Sequence, residues 1–151
     1  AAVAELELAS TTISMMTDLG PTVVARSTSD LGLALADLEV ACGEGPSFDA
    51  FHHHRPVLAS DLTSEERRHW TEFAAGAVRL GCAAMWTFPL GVGAARLGVL
   101  LMSLATVQAM TPDRTRAALM FAEVATEIVL DVEGGRADVT RDAAIGRVVD
   151  L

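Results

Sequence analysis

The sequence has few of the residues on which several classes of function depend. All 11 basic residues are arginine, against 20 acidic residues, and the formal net charge is −9. Because no basic stripe is present to neutralise phosphates, we expect no direct nucleic-acid contact by this segment. The two cysteines, Cys42 and Cys82, lie far apart in apolar surroundings, and the amino end has no signal-peptide pattern. We therefore expect a reducing, cytoplasmic location.

Charge is also scarce in one long stretch of the chain. Between Arg79 and Asp113 the only charged residue is Arg96. A membrane-spanning helix needs about 20 consecutive apolar residues, and the arginine, a proline and three glycines interrupt this stretch. Residues 82–90 and 97–105 instead have the length and apolar content of strands, with a glycine-rich turn between them. The sequence predicts a hairpin at the centre of a covered sheet, and no membrane partner.

Other segments predict a mixed domain in which strands occur in pairs with helices between them. Residues 11–16 and 22–27 are typical of a second hairpin, and residues 57–60 of a short strand. Apolar periodicity predicts helices over 30–42 and 63–80, and Pro46 begins a short helix that includes three histidines. The capping-box pair Thr63 and Glu66 is expected to start the helix over 63–80. This order indicates an α+β domain on an antiparallel sheet.

The last helix is predicted to start at Pro112, after the N-cap Thr111, and to end near residue 133. Its apolar residues at helical spacing are Ala117, Met120, Phe121, Val124 and Ile128. We assign residues 1–132 to one domain, with the end of an amino-terminal helix at 5–9, and residues 133–151 to a tail or linker before a possible output domain. Since the chain starts with alanine and not methionine, we expect a longer protein.

Several strings, taken in order, resemble those of a GAF domain of the actinobacterial type that often precedes an ANTAR RNA-binding domain. They are Gly43-Glu44-Gly45-Pro46-Ser47-Phe48-Asp49-Ala50, Arg55-Pro56-Val57-Leu58 with Asp61-Leu62, Phe88-Pro89-Leu90-Gly91-Val92-Gly93 and Leu97-Gly98-Val99-Leu100. The resemblance implies a sensory fold related to PAS domains. Such a fold has a central antiparallel sheet of about five or six strands, with helices on both faces. Dimer-forming helices lie on one face and a ligand pocket lies on the other.

The resemblance also identifies departures at the expected pocket. Ser47 stands where this type commonly has cysteine, and Leu101 where it often has an acidic or amide side chain. These departures imply a drier pocket, so that either the ligand is apolar or aromatic, or the pocket is filled and the domain mainly dimerises. The predicted ligand-binding residues are Phe48, Phe51, Trp86, Phe88, Val99, Leu101 and Ser103, with core packing as the alternative for the aromatic ones.

Two groups of residues suggest other functions, namely metal or haem binding and redox catalysis. His52, His53 and His54 suggest a metal or haem site, but successive helical side chains fan out by about 100° and cannot grip one ion, so a place at a helix carboxyl end is favoured. Cys42 and Cys82 suggest a cysteine-based free methionine sulfoxide reductase of GAF type, but both fall on predicted apolar faces.

The leading hypothesis is therefore a non-catalytic regulatory domain in signal transduction and transcription regulation, homodimeric through its terminal helices. We identify no catalytic or metal-binding residue and name no cofactor. The reductase and a pure dimerisation module are the alternatives.

Overall fold

A computed structural model of the protein describes residues 8–17, 20–64 and 70–133. From residue 10 onward it confirms the predicted order of strands and helices. The elements are β1 (Ser10–Thr17), β2 (Gly20–Ser27), α1 (Asp30–Cys42), α2 (Pro46–His53), β3 (Val57–Ala59), α3 (Thr71–Arg79), β4 (Ala84–Val92), β5 (Ala95–Leu104) and α4 (Pro112–Glu133). Within the described residues, none of the helices has the combined length and hydropathy of a membrane span.

The strands form one antiparallel sheet of five strands in the order β2-β1-β5-β4-β3. The nearly uncharged stretch supplies β4 and β5, and β5 lies at the centre with β1 on one side and β4 on the other. The expected α+β fold with a central antiparallel hairpin is therefore confirmed. Both strands are apolar on both faces because helices cover the two faces of the sheet.

One edge of this sheet is short. β3 pairs with β4 only from Met85 to Thr87, with Val57 opposite Thr87. Pro89 stands two residues further along β4, and Pro56 immediately precedes β3. Proline cannot donate a backbone hydrogen bond and is found at strand edges. The two prolines therefore coincide with the place where the described β3–β4 pairing ends.

Helix α4 covers the first face of the sheet. Phe121 and Val129 of α4 are buried in one cluster with Ile13, Trp86 and Leu100 from three strands. Ala118 and Ala125 are also fully buried on this side of α4. Their small side chains allow close packing of the helix against the strands.

The predicted buried side of α4 was partly wrong. Met120 is 55% exposed, whereas its neighbour Phe121 is 1% exposed. Ala117 and Val124 are only partly buried, and Ile128 is buried as expected. The buried positions 118, 121, 125 and 128 alternate in steps of three and four, so the helix is rotated toward its alanines.

Helices α1, α2 and α3 cover the second face. Leu35 of α1 and Phe73 of α3 pack with Met85 and Leu101. Ala50 and Phe51 of α2 pack with two strand residues, Met16 and Val99, in a separate cluster. The expected presence of helices on both faces is therefore confirmed.

Some predicted features fall outside the described residues. The end of an amino-terminal helix was predicted at residues 5–9, of which 5–7 are not described. Leu8 and Ala9 are described and are not helical, and the Ala9 N–H donates to the Ser103 carbonyl oxygen at 2.8 Å, so that part of the prediction was wrong. The tail or linker lies beyond residue 133. Of the capping-box pair, Glu66 is among the residues not described, and Thr63 accepts no helix N–H in its described contacts. The backbone N–H of Thr63 instead donates to Asp61 at 2.9 Å, in a turn before α3.

Candidate functional site

The second face of the sheet carries a row of buried hydroxyl groups. Their residues are Ser10, Thr12, Ser14, Thr87 and Ser103, all at most 3% exposed. The hydroxyl groups in this row that have described hydrogen bonds are paired with each other or with the adjoining strand β2. The hydroxyls of Ser10 and Ser103 form a hydrogen bond, and that of Thr12 lies 3.0 Å from the Ser27 hydroxyl. Gly32 of α1 packs directly over this second pair.

Thr87 is the exception in this row. Its hydroxyl oxygen is buried and has no hydrogen-bond partner among the described residues. It lies in register between Val57 on β3 and Leu101 on β5, on the face covered by the shorter helices. A buried hydroxyl without a partner costs about 1–3 kcal/mol, so this position is polar in an otherwise apolar layer.

Helix α2, which partly covers this face, is held at its amino end by a residue from another helix. Its N-cap is Gly45, which offers no side-chain acceptor. Glu39, near the end of α1, replaces that acceptor. The Ser47 backbone N–H donates to Glu39 Oε2 at 2.8 Å, and the Ser47 hydroxyl donates to Oε1 at 2.6 Å. This contact therefore joins α1 to the first turn of α2.

The same carboxyl group is unusual in its burial. Glu39 is 0% exposed, and a Cβ on Gly45 would lie only 2.4 Å from Glu39 Oε2. Burial raises the pKa of Glu39 to about 8, against the two hydrogen bonds from Ser47 that lower it, and the nearby charge of Asp49 raises it further. Desolvation has the larger effect, and no described arginine or histidine forms an ion pair with this carboxyl group to oppose it.

A second polar contact joins α2 to α3. The indole N–H of Trp70 donates to Asp49 Oδ2 at 2.9 Å. Trp70 is the N-cap residue of α3 and is 3% exposed. Helix α2 is thus tied at its amino-terminal half to both of its neighbours.

A small cleft opens beside α2, next to the end of β1. Its volume is about 110 Å³, and it is lined by Thr17, Phe48, Asp49, Phe51 and His52. Phe48 is held in place by Gly20 of β2, whose φ is +114°, since a Cβ at that glycine would lie 2.5 Å from the tip of the Phe48 ring. Phe51 is 7% exposed and also belongs to the cluster beneath α2.

The predicted ligand-binding residues do not all come together. Phe48 and Phe51 line the cleft, and Val99 packs against Phe51 beneath it. Leu101 and Ser103 share the same face of β5, but Leu101 packs with α1 and α3, and Ser103 bonds to Ser10. Neither residue lines the cleft.

Trp86 and Phe88 lie on the opposite face of the sheet, and their predicted place beside Phe48 and Phe51 was wrong. Both pack in the cluster with Phe121 of α4. The alternation of β4 explains this, because Thr87 between them is the residue on the second face, which the shorter helices cover. The Trp86 indole N–H is buried there and has no partner among the described residues.

The cleft residues Thr17, Asp49 and His52 and the cap residue Glu39 were not predicted as part of the ligand site. A usable signal existed only for Glu39. It precedes a Gly43-Glu44-Gly45-Pro46-Ser47 string in which a helix begins after a glycine, so an acceptor must come from elsewhere. The cleft forms where β1 and α2 approach each other in the tertiary structure, and no local sequence pattern indicates this approach.

The histidines lie where the helix-end interpretation placed them. His52 and His53 are in the last turn of α2, and His54 follows as the C-cap residue with a left-handed backbone, φ 54°. All three are exposed, and the described residues contain no group of three metal-ligating side chains.

The cysteines are poorly suited to redox chemistry. Burial raises the pKa of Cys82 to about 11, and its thiol donates to the Ala84 carbonyl oxygen at 3.2 Å. The pKa of Cys42 is also raised, by desolvation and by the nearby carboxylates of Glu72, Glu44 and Glu39. Both shifts lower the thiolate fraction on which sulfoxide reduction depends.

This arrangement, a five-stranded antiparallel sheet with one long helix on one face and shorter helices on the other, is the fold of GAF domains. No family model matches the sequence, and no curated protein matches it. The relation therefore rests on structure alone.

Three solved structures illustrate this structural similarity. The GAF domain of a two-component sensor histidine kinase from Bacillus halodurans is 10% identical, with a TM-score of 0.57 over 87% of this chain and 90% of that one. The GAF domain of a phosphoenolpyruvate-protein phosphotransferase from Coxiella burnetii is 14% identical, with a TM-score of 0.56 over 90% and 78%. A GAF domain from Synechocystis sp. PCC6803, in its photoproduct state, is 12% identical, with a TM-score of 0.59 over 89% and 88%.

Proposed function

We propose that the protein is a non-catalytic sensory domain in signal transduction that binds a small ligand in the cleft beside α2. The observation that carries this proposal is the cleft itself, which combines two phenyl rings with a carboxylate on the face where the hydroxyl row is buried. The occurrence of the same fold in a sensor histidine kinase supports a sensory role. A cytoplasmic location and a downstream output domain, such as ANTAR in an actinobacterial regulator, complete the proposal.

The contacts of α2 give ligand binding a route to the rest of the domain. A ligand in the cleft would touch Phe48, Asp49 and Phe51, all on α2. Glu39 ties this helix to α1, and Trp70 ties it to α3. A shift of α2 must therefore strain or break one of these bonds, so binding energy in the cleft is coupled to the position of three helices.

A screen of small metabolites, including compact aromatic compounds, tests the proposal. A ligand present at about 100 times its Kd stabilises the folded state by about 2.7 kcal/mol, which a thermal-shift assay detects. The variant Thr17→Trp, at an exposed rim position, should fill the cleft and abolish the shift. A shift that survives this substitution would place the ligand elsewhere, and a screen without any stabilising compound would contradict the sensory proposal.

A pure dimerisation module is a second candidate, favoured by how well the second face is filled. Leu101 and Val99 are at most 2% exposed, and the cleft is small. We propose homodimerisation through the terminal helices in either case. Leu119, Met120 and Leu130 of α4 are between 38% and 55% exposed and offer an apolar surface for it.

Sedimentation at high micromolar concentration tests the dimer. We expect a dimer for the native sequence and a monomer for Met120→Arg, which places a charge in the centre of the apolar surface without touching the core. Glu123→Arg, an exposed change on the same helix, is the control for charge alone. A monomeric native protein would contradict this part of the proposal.

A further inference from the structure

The cleft contains a carboxylate, Asp49, that has no cationic partner in the part of the chain that the structure describes. Asp49 is half-buried, and Oδ2 of its carboxylate accepts a hydrogen bond from the neutral indole of Trp70. Among residues 8–17, 20–64 and 70–133, no arginine or histidine nitrogen lies within 4.0 Å of this carboxylate, and the ion pair found there is Arg116 with Asp113 on α4. The anionic charge therefore remains available to a ligand.

A second carboxyl group lies at this end of α2, but its raised pKa keeps it protonated at neutral pH, so Asp49 is the charged group there. Glu39 lies close enough for the charge of Asp49 to contribute to its raised pKa, after burial. Arginine is found instead at the other end of the helix, where the guanidinium of Arg96 donates to the His52 carbonyl oxygen at 3.2 Å. The cleft thus has a negative end at Asp49 and a more positive end at His52.

Two aromatic rings complete the site. Phe48 and Phe51 line the cleft together with Asp49. The face of a phenyl ring attracts cations, and a carboxylate beside such rings is the chemistry with which proteins recognise ammonium groups. A neutral apolar ligand would leave the half-buried carboxylate without compensation, and an anion would be repelled by it.

The size of the cleft limits what can enter. A protein cavity of about 150 Å³ accommodates benzene, so a cleft of about 110 Å³ suits a ligand or ligand moiety with roughly five or six non-hydrogen atoms. Nucleotides and haem are far larger than this.

We propose that the cleft binds a small organic cation of the alkylammonium or quaternary ammonium class, with Asp49 as its counter-charge and the rings of Phe48 and Phe51 as its walls. This inference rests on the proposed small-ligand function and names the ligand class of that site. The cation lies toward Asp49 and away from Arg96.

Tetramethylammonium and tert-butanol are probes matched in size and shape that differ in charge, and the slightly larger trimethylacetate carries the same tert-butyl group on an anion. We expect tetramethylammonium to bind with a Kd of about 1 mM at 150 mM NaCl, and tert-butanol at least about tenfold more weakly. The readout is the pair of indole N–H resonances. That of Trp70, which contacts Asp49, should shift on binding, and that of Trp86, on the opposite face of the sheet, should not.

Substitutions separate specific binding from general attraction to an acidic protein. Asp49→Asn retains an acceptor for the Trp70 indole but removes the charge, and it should weaken tetramethylammonium binding at least about tenfold. Asp37→Asn removes an exposed carboxylate on α1 and should leave the binding unchanged. Phe48→Leu should weaken binding without changing net charge. Thermal unfolding of each variant establishes that it is folded.

Other outcomes would overturn the ligand class. Equal binding of tert-butanol, or binding of tetramethylammonium that Asp49→Asn leaves intact, would show that charge does not select the ligand. Preference for trimethylacetate would assign an anion to the His52 end. In these cases the cleft is occupied and the small-ligand function stands. If no probe shifts the Trp70 resonance, the ammonium proposal fails, and the metabolite screen with Thr17→Trp decides the function separately.

Discussion

Two buried threonines on the same sheet face differ in one hydrogen bond. Thr12 and Thr87 are both 0% exposed, but only Thr12 has a hydroxyl partner, Ser27. Thr87→Val replaces an unpartnered hydroxyl with a methyl group and should raise the free energy of unfolding by about 1 kcal/mol. Thr12→Val should lower it by about 1 kcal/mol, because a made bond is lost. Urea unfolding measures both, and a loss of stability in Thr87→Val would show that the hydroxyl is bonded.

Glu39 gives the domain a specific pH dependence. Its pKa is about 8 in the folded protein against 4.5 as the ordinary value, so the unfolded chain loses this proton first as pH rises. The contribution of protonated Glu39 to the free energy of unfolding is fully present below pH 4.5 and is lost as pH rises through 8. The free energy of unfolding falls over this range by at most about 1.4 kcal/mol per pH unit.

Glu39→Gln tests this, because the amide still accepts a hydrogen bond from Ser47 but does not ionise. Its free energy of unfolding, relative to the native sequence, should rise between pH 5 and pH 8 by several tenths to a few kcal/mol, as roughly expected for one proton. Parallel pH profiles for the two proteins would mean that Glu39 is ionised in the fold throughout. Asp37→Gln, at an exposed site on the same helix, should show no such divergence.

At the level of single residues, the sequence predicted which side chains face the interior better than it predicted which other residues they contact. That Phe48 and Phe51 face the interior follows from their spacing on a short helix, and the structure places both in the cleft. Trp86 and Phe88 could not be assigned a face, because β4 is apolar on both sides and alternation alone does not say which side meets α2. The charge at Asp49 matters only because β1 and α2 meet there.

Among the elements, α2 depends most on a neighbour. Its N-cap glycine combines a φ of +149° with a contact in which any Cβ would strike the Glu39 carboxyl group. Gly45→Ala should therefore lower the free energy of unfolding by at least about 2 kcal/mol, through backbone strain and displacement of Glu39.

Gly43→Ala is the matched control. This residue also has a positive φ, +67°, but a Cβ there meets nothing within 4 Å. Gly43→Ala should lower the free energy of unfolding by only about 1 kcal/mol, because alanine is disfavoured in the left-handed backbone conformation. Thermal or urea unfolding compares the two, and equal losses would mean that the Glu39 contact adds nothing to the backbone effect.

Element boundaries were largely predictable because their signals are local. Pro46 at the first helical position, Gly43 in the left-handed conformation after α1 and Thr111 before α4 all end or begin helices as expected. The rotation of α4 was not predictable from periodicity, since Met120 and Phe121 are equally apolar. Packing against the sheet selects Phe121 because alanines flank it on the inner side.

For the whole molecule, the strand order predicts a gradient of protection. β5 has a partner on each side and is covered on both faces, whereas β3 has three residues at one edge. In native-state hydrogen exchange, amides of β5 should exchange most slowly and those of β3 most rapidly among the strands. Faster exchange in β5 than in β2 would contradict the central position of β5.

The two prolines at the end of the β3–β4 pairing have a consequence for how this protein behaves at high concentration. Strand β4 continues past Thr87 on an edge that another chain could join, and Val92 leaves an exposed apolar side chain on it. Pro89 removes a donor from that edge, and Pro56 prevents β3 from lengthening to cover it. We therefore expect the native sequence to resist edge-to-edge aggregation despite the scarcity of charge in its central hairpin, and Pro89→Thr to form fibrils or precipitates under conditions in which the native protein stays in solution.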